Sequence, residues 1–372
     1  MPRAPKTFDR PFLFATLLLV VMGFFIFSSA SLGLLTRSGA DFFDVTKTQF
    51  LFGVCGGLIS MFVFANIPYR KYRRFAPYIF GFSLFLTLLV FVPGIGYEAN
   101  GARRWLLIFG LSFQPAEVLK IAFVLCLAWF YSVFHRKLGD VRYSLGGLIC
   151  MVALCFAVLF KQPDTKTLII ISVTGIAMTF SAGISKKHIA GIVAIMVVAF
   201  ALLAFSRPYL LDRVMTFVDP ARDERGSGYQ LKQSLIAIGS GGVMGRGYGQ
   251  SVQKFHYLPE PIGDSIFSVA GEEFGFLGTV TIVALFIFFV LRGLVIASLA
   301  PDRFGGLLVV GIVILIFTQS FMNIGSMVGL IPLTGVPLVF ISHGGTALLL
   351  ALTGVGMVLN VSRYRVPHKR NI

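Results

Sequence analysis

Asp264 is the acid best placed to do chemistry. It closes the polar stretch Leu258-Pro259-Glu260-Pro261-Ile262-Gly263-Asp264-Ser265, and an apolar helix is expected directly after it. An aspartate there has two readings: an N-cap for that helix, or a general base where a polar loop meets an apolar surface. Glu272 and Glu273 follow about two turns later, and helical spacing carries residues 264, 268 and 271 or 272 to one face. A second carboxyl beside the first would raise one pKa and tune a base.

Other charged residues offer less. Glu117 and Lys120, three apart at the start of an apolar run, share a helix face. That spacing fits a structural ion pair first and a polar patch lining a cavity second. Arg104, next to Arg103 and Trp105, reads as an interfacial anchor or as an anion clamp, since a guanidinium matches phosphate oxygens. Asp164 lies in a short turn, Gln162 to Thr167, and is expected to cap the next helix. The glycines from Gly239 to Gly249 lack the Gly-Lys-Ser/Thr of a phosphate loop and follow no strand, so they read as turns. The five histidines are scattered without metal-ligand spacing, and no Gly-x-Ser-x-Gly occurs.

The elements that must position these residues are membrane spans. Of 372 residues, 56% are hydrophobic and 13% charged, against about 25% charged in soluble domains. Long uncharged runs recur. Ten spans are expected, near 11–35, 49–68, 76–94, 115–134, 144–161, 166–184, 188–206, 266–291, 305–329 and 343–362. The fold class is all-α: one polytopic membrane domain over 1–372, with a large loop at 207–265. Cys55, Cys126, Cys150 and Cys155 fall inside apolar runs and read as packing residues.

The net charge of +16 is spread between the runs, which argues for membrane orientation and against nucleic acid. The segments on the side of the termini hold 18 Lys and Arg with three acids, Asp9, Asp140 and Asp302. The opposite segments hold 13, seven of them in the long loop, where charge weighs less. Both termini are therefore expected in the cytoplasm and the 207–265 loop outside. Within that loop, Tyr229 to Ile238 has amphipathic helical spacing.

Read in order, several motifs resemble the SEDS family of peptidoglycan glycosyltransferases. They are Arg104-Trp105-Leu106, Gly110, Gln114-Pro115-Ala116-Glu117 with Lys120, and Gln162-Pro163-Asp164. Gly228-Tyr229-Gln230, Gln233-Ser234, Gln253-Lys254 and Leu258-Pro259-Glu260 with Asp264 continue the likeness. Gly271-Glu272-Glu273-Phe274-Gly275, Gly329 to Leu338 and Ser342-His343-Gly344-Gly345 complete it. The resemblance covers nearly the whole chain and favours the division type over the elongation type. Thr165-Lys166-Thr167 stands where the family usually has Leu/Phe-Gly-Thr, and His343 where it has Tyr, so Asp164 carries less than Asp264 and His343 no role.

The resemblance implies an enzyme of the cytoplasmic membrane that polymerises lipid II, inverting the anomeric centre and releasing undecaprenyl pyrophosphate. It makes Asp264 the base. Arg104, Lys120 and Lys254 become candidates for the pyrophosphate, with Glu117 orienting Lys120. Gln230, Ser234, Glu260 and Glu272 are further candidate substrate contacts. A divalent cation, Mg or Mn, would share the pyrophosphate's charge, but no carboxylate cluster marks its place. Implied partners are a class B penicillin-binding protein, which supplies the transpeptidase this chain lacks, other division proteins and membrane lipids. Two rivals stand beside this reading: a lipid II flippase and a non-enzymatic scaffold. The absence of an internal repeat, and charges gathered at one end of the spans, favour the enzyme.

Overall fold

The computed structural model describes residues 7–36, 41–99, 102–108, 111–219, 222–223 and 226–365; Gly110 lies outside them. Among the described residues, nine helices are long and apolar enough to cross a membrane. The tenth expected span is there as a shorter apolar helix.

The first span is α1 (Arg10–Ser31), opened by Asp9, which accepts the Phe12 amide at 3.1 Å, with proline in the first turn. The second joins α2 (Asp41–Thr48) to α3 (Gly56–Asn66) through a π-helical stretch, Gln49–Cys55. Then come α4 (Tyr69–Leu88), α5 (Pro115–Val133), the short α6 (Val141–Ser144) running into α7 (Gly146–Leu159), α8 (Thr165–Ser181) and α9 (Lys186–Ser206). The long loop carries α10 (Pro208–Val218), α11 (Ser227–Ser240) and α12 (Gln253–His256). The amphipathic spacing read at 229–238 is therefore a helix. The chain ends with α13 (Ile266–Ser298), α14 (Arg303–Met327) and α15 (Gly345–Arg363).

One part departs from all-α. Between α4 and α5 lies a small antiparallel sheet of β1 (Gly96–Ala99), β2 (Ala102–Ile108) and β3 (Leu111–Phe113), paired in that order. Leaving the apolar layer, this stretch must pair its backbone groups by itself, and antiparallel pairing of β2 with both β1 and β3 does so. The sequence is too short and too charged there to announce strands.

Most residues of α5 and α14 are buried, and α15 is nearly as enclosed, whereas α9 is largely exposed. Exposed apolar side chains such as Phe14, Phe62 and Phe85 ring the outside of the bundle, as lipid-facing positions require. The first and last of the described segments meet at one end of the bundle. Asp9 is buried and takes Arg292 and Arg365, each at 2.7 Å, while Asp302, leading into α14, accepts Tyr69 Oη at 2.6 Å. Asp264 lies at the other end, where α13 begins.

α13 is broken at Gly275 (φ 66°, ψ −162°). The Gly-rich run fills the break. Phe276 and Leu277 donate their amides to the carbonyls of Gly242 (2.9 Å) and Val243 (3.2 Å), and Arg246 and Gly247 donate theirs to Glu272 (3.0 Å) and Glu273 (2.9 Å). Backbone groups freed by the kink are thus satisfied.

Candidate active site

The turn before α13 sets Asp264. Glu260 adopts φ 46°, and its carbonyl accepts both Gly263 N and Ser265 N at 3.1 Å. Ser265 occupies the N-cap position of α13 without a side-chain cap bond, so Asp264 does not cap the helix. The main chain at Asp264 is held instead: Asn323 of α14 donates Nδ2 to the Asp264 carbonyl at 2.6 Å and to that of Val336 at 2.7 Å. Asn323 ties the turn to the non-helical segment between α14 and α15. Ser342 Oγ donates to Gly263 O at 2.7 Å and accepts Leu338 N at 2.8 Å, and His343 N donates to Ile262 O at 2.8 Å.

The Asp264 carboxyl is half-buried and, among the described residues, makes no hydrogen bond and no ion pair. Two cations flank it. Lys166, in the first turn of α8, donates to Gly335 O. Arg213, on α10, donates to Leu333 O at 3.1 Å. Gly335 sits between them with φ 65°; a β-carbon there would lie 3.3 Å from Asp264 Oδ2 and 3.8 Å from both terminal nitrogens of Arg213. Burial pushes the Asp264 pKa above the ordinary carboxylate value; the charges of Lys166 and Arg213 oppose that without cancelling it.

Glu117 and Lys120 form the expected ion pair, at 2.8 Å. Lys120 is buried and also donates to Gln319 Oε1 at 2.5 Å, and Gln319 Nε2 reaches Pro337 O at 3.3 Å. A cavity of about 30 Å³ beside them is also lined by Pro337 and His343, enough for a water molecule or two. This pair therefore supports, through α14, the segment that flanks Asp264.

Lys254 corrects an expectation. It is fully buried, and its ammonium donates to Ser29 Oγ (3.0 Å), Gly249 O (2.9 Å) and Glu273 Oε1 (2.7 Å). A lysine has three donors, so none remains for a pyrophosphate. Arg104 spends two of its five donors on the fold: Nε and one terminal nitrogen donate to Gln162 O (3.0 Å) and Pro163 O (2.6 Å), bracing the turn before α8. Asp164 caps α8 through Thr167 N at 3.3 Å, as the turn suggested.

Glu272 does not face Asp264. It accepts Ser251 Oγ (2.6 Å), Val252 N (3.1 Å) and Gln253 N (3.2 Å), and pairs with Arg246 at 3.4 Å. The face it shares with the Gly-rich loop needs these acceptor oxygens for the amides that open α12. Gln230 donates to Ser265 Oγ at 3.0 Å and so docks α11 on the site. Ser234 is buried, its Oγ 3.4 Å from Met327 Sδ, as a packing contact. Glu260 is exposed beside Gly263. Lys166 and Arg213 were not singled out from the sequence. A lone arginine on the amphipathic stretch Pro208–Val218 was the available signal for the second; Lys166 showed only as a departure from a motif.

Among the described residues no three His, Cys, Asp or Glu side chains group to hold a metal. Asp264 is flanked by cations, with no further carboxylates grouped around it among the described residues, so the donor set does not fit a resident divalent ion.

The family model described as a cell cycle protein, of FtsW, RodA and SpoVE, matches residues 10–366. Stage V sporulation protein E of Bacillus subtilis is 40% identical over 349 residues, 94% of this chain and 95% of that protein. The probable peptidoglycan glycosyltransferase FtsW of Geobacter metallireducens is 36% identical over 357 residues, 96% of this chain and 95% of that one. Among solved structures, one described as structural coordination of polymerization and crosslinking by a peptidoglycan synthase complex superposes with a TM-score of 0.78 at 26% identity, covering 96% of this chain and 98% of its own. The crystal structure of the Thermus thermophilus rod shape determining protein RodA gives 0.68 at 25% identity, covering 96% and 97%.

Proposed function

Because the chain belongs to the family of cell cycle proteins that holds FtsW, RodA and SpoVE, we propose that it is a peptidoglycan glycosyltransferase that polymerises lipid II with Asp264 as its base. One observation carries this: the carboxyl at the head of α13 is half-buried between two cations yet bonded to nothing in the protein. A structural acid in such a place would be paired; an acid kept for a substrate would not.

The 4-hydroxyl oxygen of the incoming sugar attacks the anomeric carbon of the lipid-linked glycan. The carbon–oxygen bond to the pyrophosphate breaks, its electron pair leaving with the phosphate oxygen. The hydroxyl proton passes to an Asp264 carboxylate oxygen. Attack from the opposite face turns an α-linked donor into a β-linked product. The raised pKa of Asp264 brings the base closer to working pH, where proton transfer is efficient. Positioned base catalysis contributes roughly 10²–10⁴-fold.

The protein sits in the cytoplasmic membrane with both termini inside and Asp264 outside, in keeping with the distribution of Lys and Arg. The likeness to a peptidoglycan synthase complex supports a transpeptidase partner, and the relatives named FtsW support work in cell division. The test is purified protein mixed with labelled lipid II in detergent, where flipping has no meaning. Glycan polymer is expected. Lipid II left as monomer, with and without the transpeptidase, would leave the flippase or scaffold in its place.

A further inference from the structure

The structure assigns Lys166 and Arg213 to a diphosphate subsite: between them they grip the pyrophosphate of a lipid-linked sugar next to Asp264. This rests on the reading of Asp264 as the centre of glycosyl transfer.

Three observations lead there. First, both cations have donors to spare. Among the described residues, Lys166 gives one hydrogen bond, to Gly335 O, and Arg213 gives one, to Leu333 O. An ammonium has three donors and a guanidinium five, so most of them remain. Their backbone anchors fix where the charges stand without consuming them. Neither closes an ion pair with Asp264, although both act on its titration.

Second, the absence of a side chain at Gly335 leaves the space between Asp264 and Arg213 unfilled. Gly335 lies at its wall, and any side chain there would project to within 3.3 Å of Asp264 Oδ2 and 3.8 Å of the Arg213 terminal nitrogens. Its φ of 65° also disfavours any other residue. With Asp264 ionised the cleft carries one net positive charge, so it draws an anion. A diphosphate has oxygens for both cations, and the arginine fork takes two of them at once.

Third, the other basic residues offered by the motifs are committed to the fold and are not recorded beside Asp264. Lys254 is sealed in with three acceptors, Lys120 is buried between Glu117 and Gln319, and Arg104 braces the turn before α8.

The experiment is binding of radiolabelled undecaprenyl pyrophosphate to the purified full-length protein in detergent. Lys166→Met and Arg213→Met should each weaken binding by about tenfold or more, the loss of charge-assisted hydrogen bonds. Lys166→Arg, which keeps the charge, should bind like the parent and shows that the fold survives change at this position. Asp264→Asn should bind at least as tightly as the parent, because it removes a negative charge from the cleft. If Asp264→Asn still polymerises, the base assignment fails while the subsite stands. Lys166→Met and Arg213→Met proteins that bind like the parent would overturn the subsite. So would phosphatidylglycerol displacing the label from the parent as well as unlabelled undecaprenyl pyrophosphate does, since that describes a general anionic-lipid surface.

Discussion

At Asp264 two effects compete, and the balance sets a pH dependence. Burial favours the neutral acid; Lys166 and Arg213 favour the carboxylate; burial prevails. Because the base must be ionised, polymerisation should fall with decreasing pH at values above the ordinary carboxylate range. Lys166→Met removes one opposing cation, so the acid limb of its pH–rate profile should move to higher pH, measured on the purified protein. Stability follows the opposite sign. A raised pKa means that the folded state binds the proton more tightly than the unfolded chain, so stability is lost as pH rises through the folded-state pKa. Asp264→Asn escapes this loss and should melt no lower than the parent at neutral pH.

Lys254 is the contrasting residue, a charge whose value is structural. Removing it leaves Glu273 buried without its cation, a change that typically costs about 3–5 kcal/mol. Lys254→Met should therefore lower the melting temperature sharply, and Lys254→Met with Glu273→Gln should recover part of the loss. The activity deficit of the single variant should track the folded fraction rather than kcat. The family resemblance offered Lys254 to the pyrophosphate; its structural partners were hidden because Ser29 comes from a remote part of the chain and Glu273 from beyond the turn before α13. The bracing role of Arg104 was hidden for a related reason: its acceptors are backbone carbonyls, which residue types do not announce.

Among the described elements, α13 is the longest. A helix of 33 residues would run about 50 Å at 1.5 Å per residue, longer than a hydrocarbon core of about 30 Å. The break at Gly275 divides it, and the loop that mends the break carries Glu272 and Glu273 into its own hydrogen bonds. Gly275→Ala would place a β-carbon against the backbone of Val243 to Gly245 at a positive φ. The unfavourable backbone alone costs about 1–3 kcal/mol, and the collision adds to it, so thermal unfolding should shift down by several degrees. Hydropathy made the spans legible, since apolar length is written locally; α8 fell short only because its C-terminal turn gives way to Ala182 and Gly183. The kink was not legible. It needs a glycine on one segment and a glycine loop on another, and each alone looks like an ordinary turn. The sheet before α5 stayed hidden because its pairing, rather than its composition, defines it.

Over the whole molecule, Asp9, Arg292 and Arg365 gather the starts and finishes of the described spans away from Asp264. The proposed orientation puts that cluster in the cytoplasm. A cysteine at exposed Tyr257 should react with a membrane-impermeant maleimide in intact cells, whereas one at exposed Lys187 should react only after permeabilisation, each compared with the parent. The span count and the position of Asp264 could be read from the sequence. The identity of the cations facing Asp264 could not, because α8 and α10 meet the segment before α15 only in three dimensions.

The most direct measurement is the initial rate of lipid II polymerisation by purified Asp264→Asn beside the parent, with melting curves of both. An uncommitted base predicts a rate lower by about 10²–10⁴-fold in a protein that melts as the parent does. A rate within a few-fold of the parent, from an equally folded sample, would contradict it.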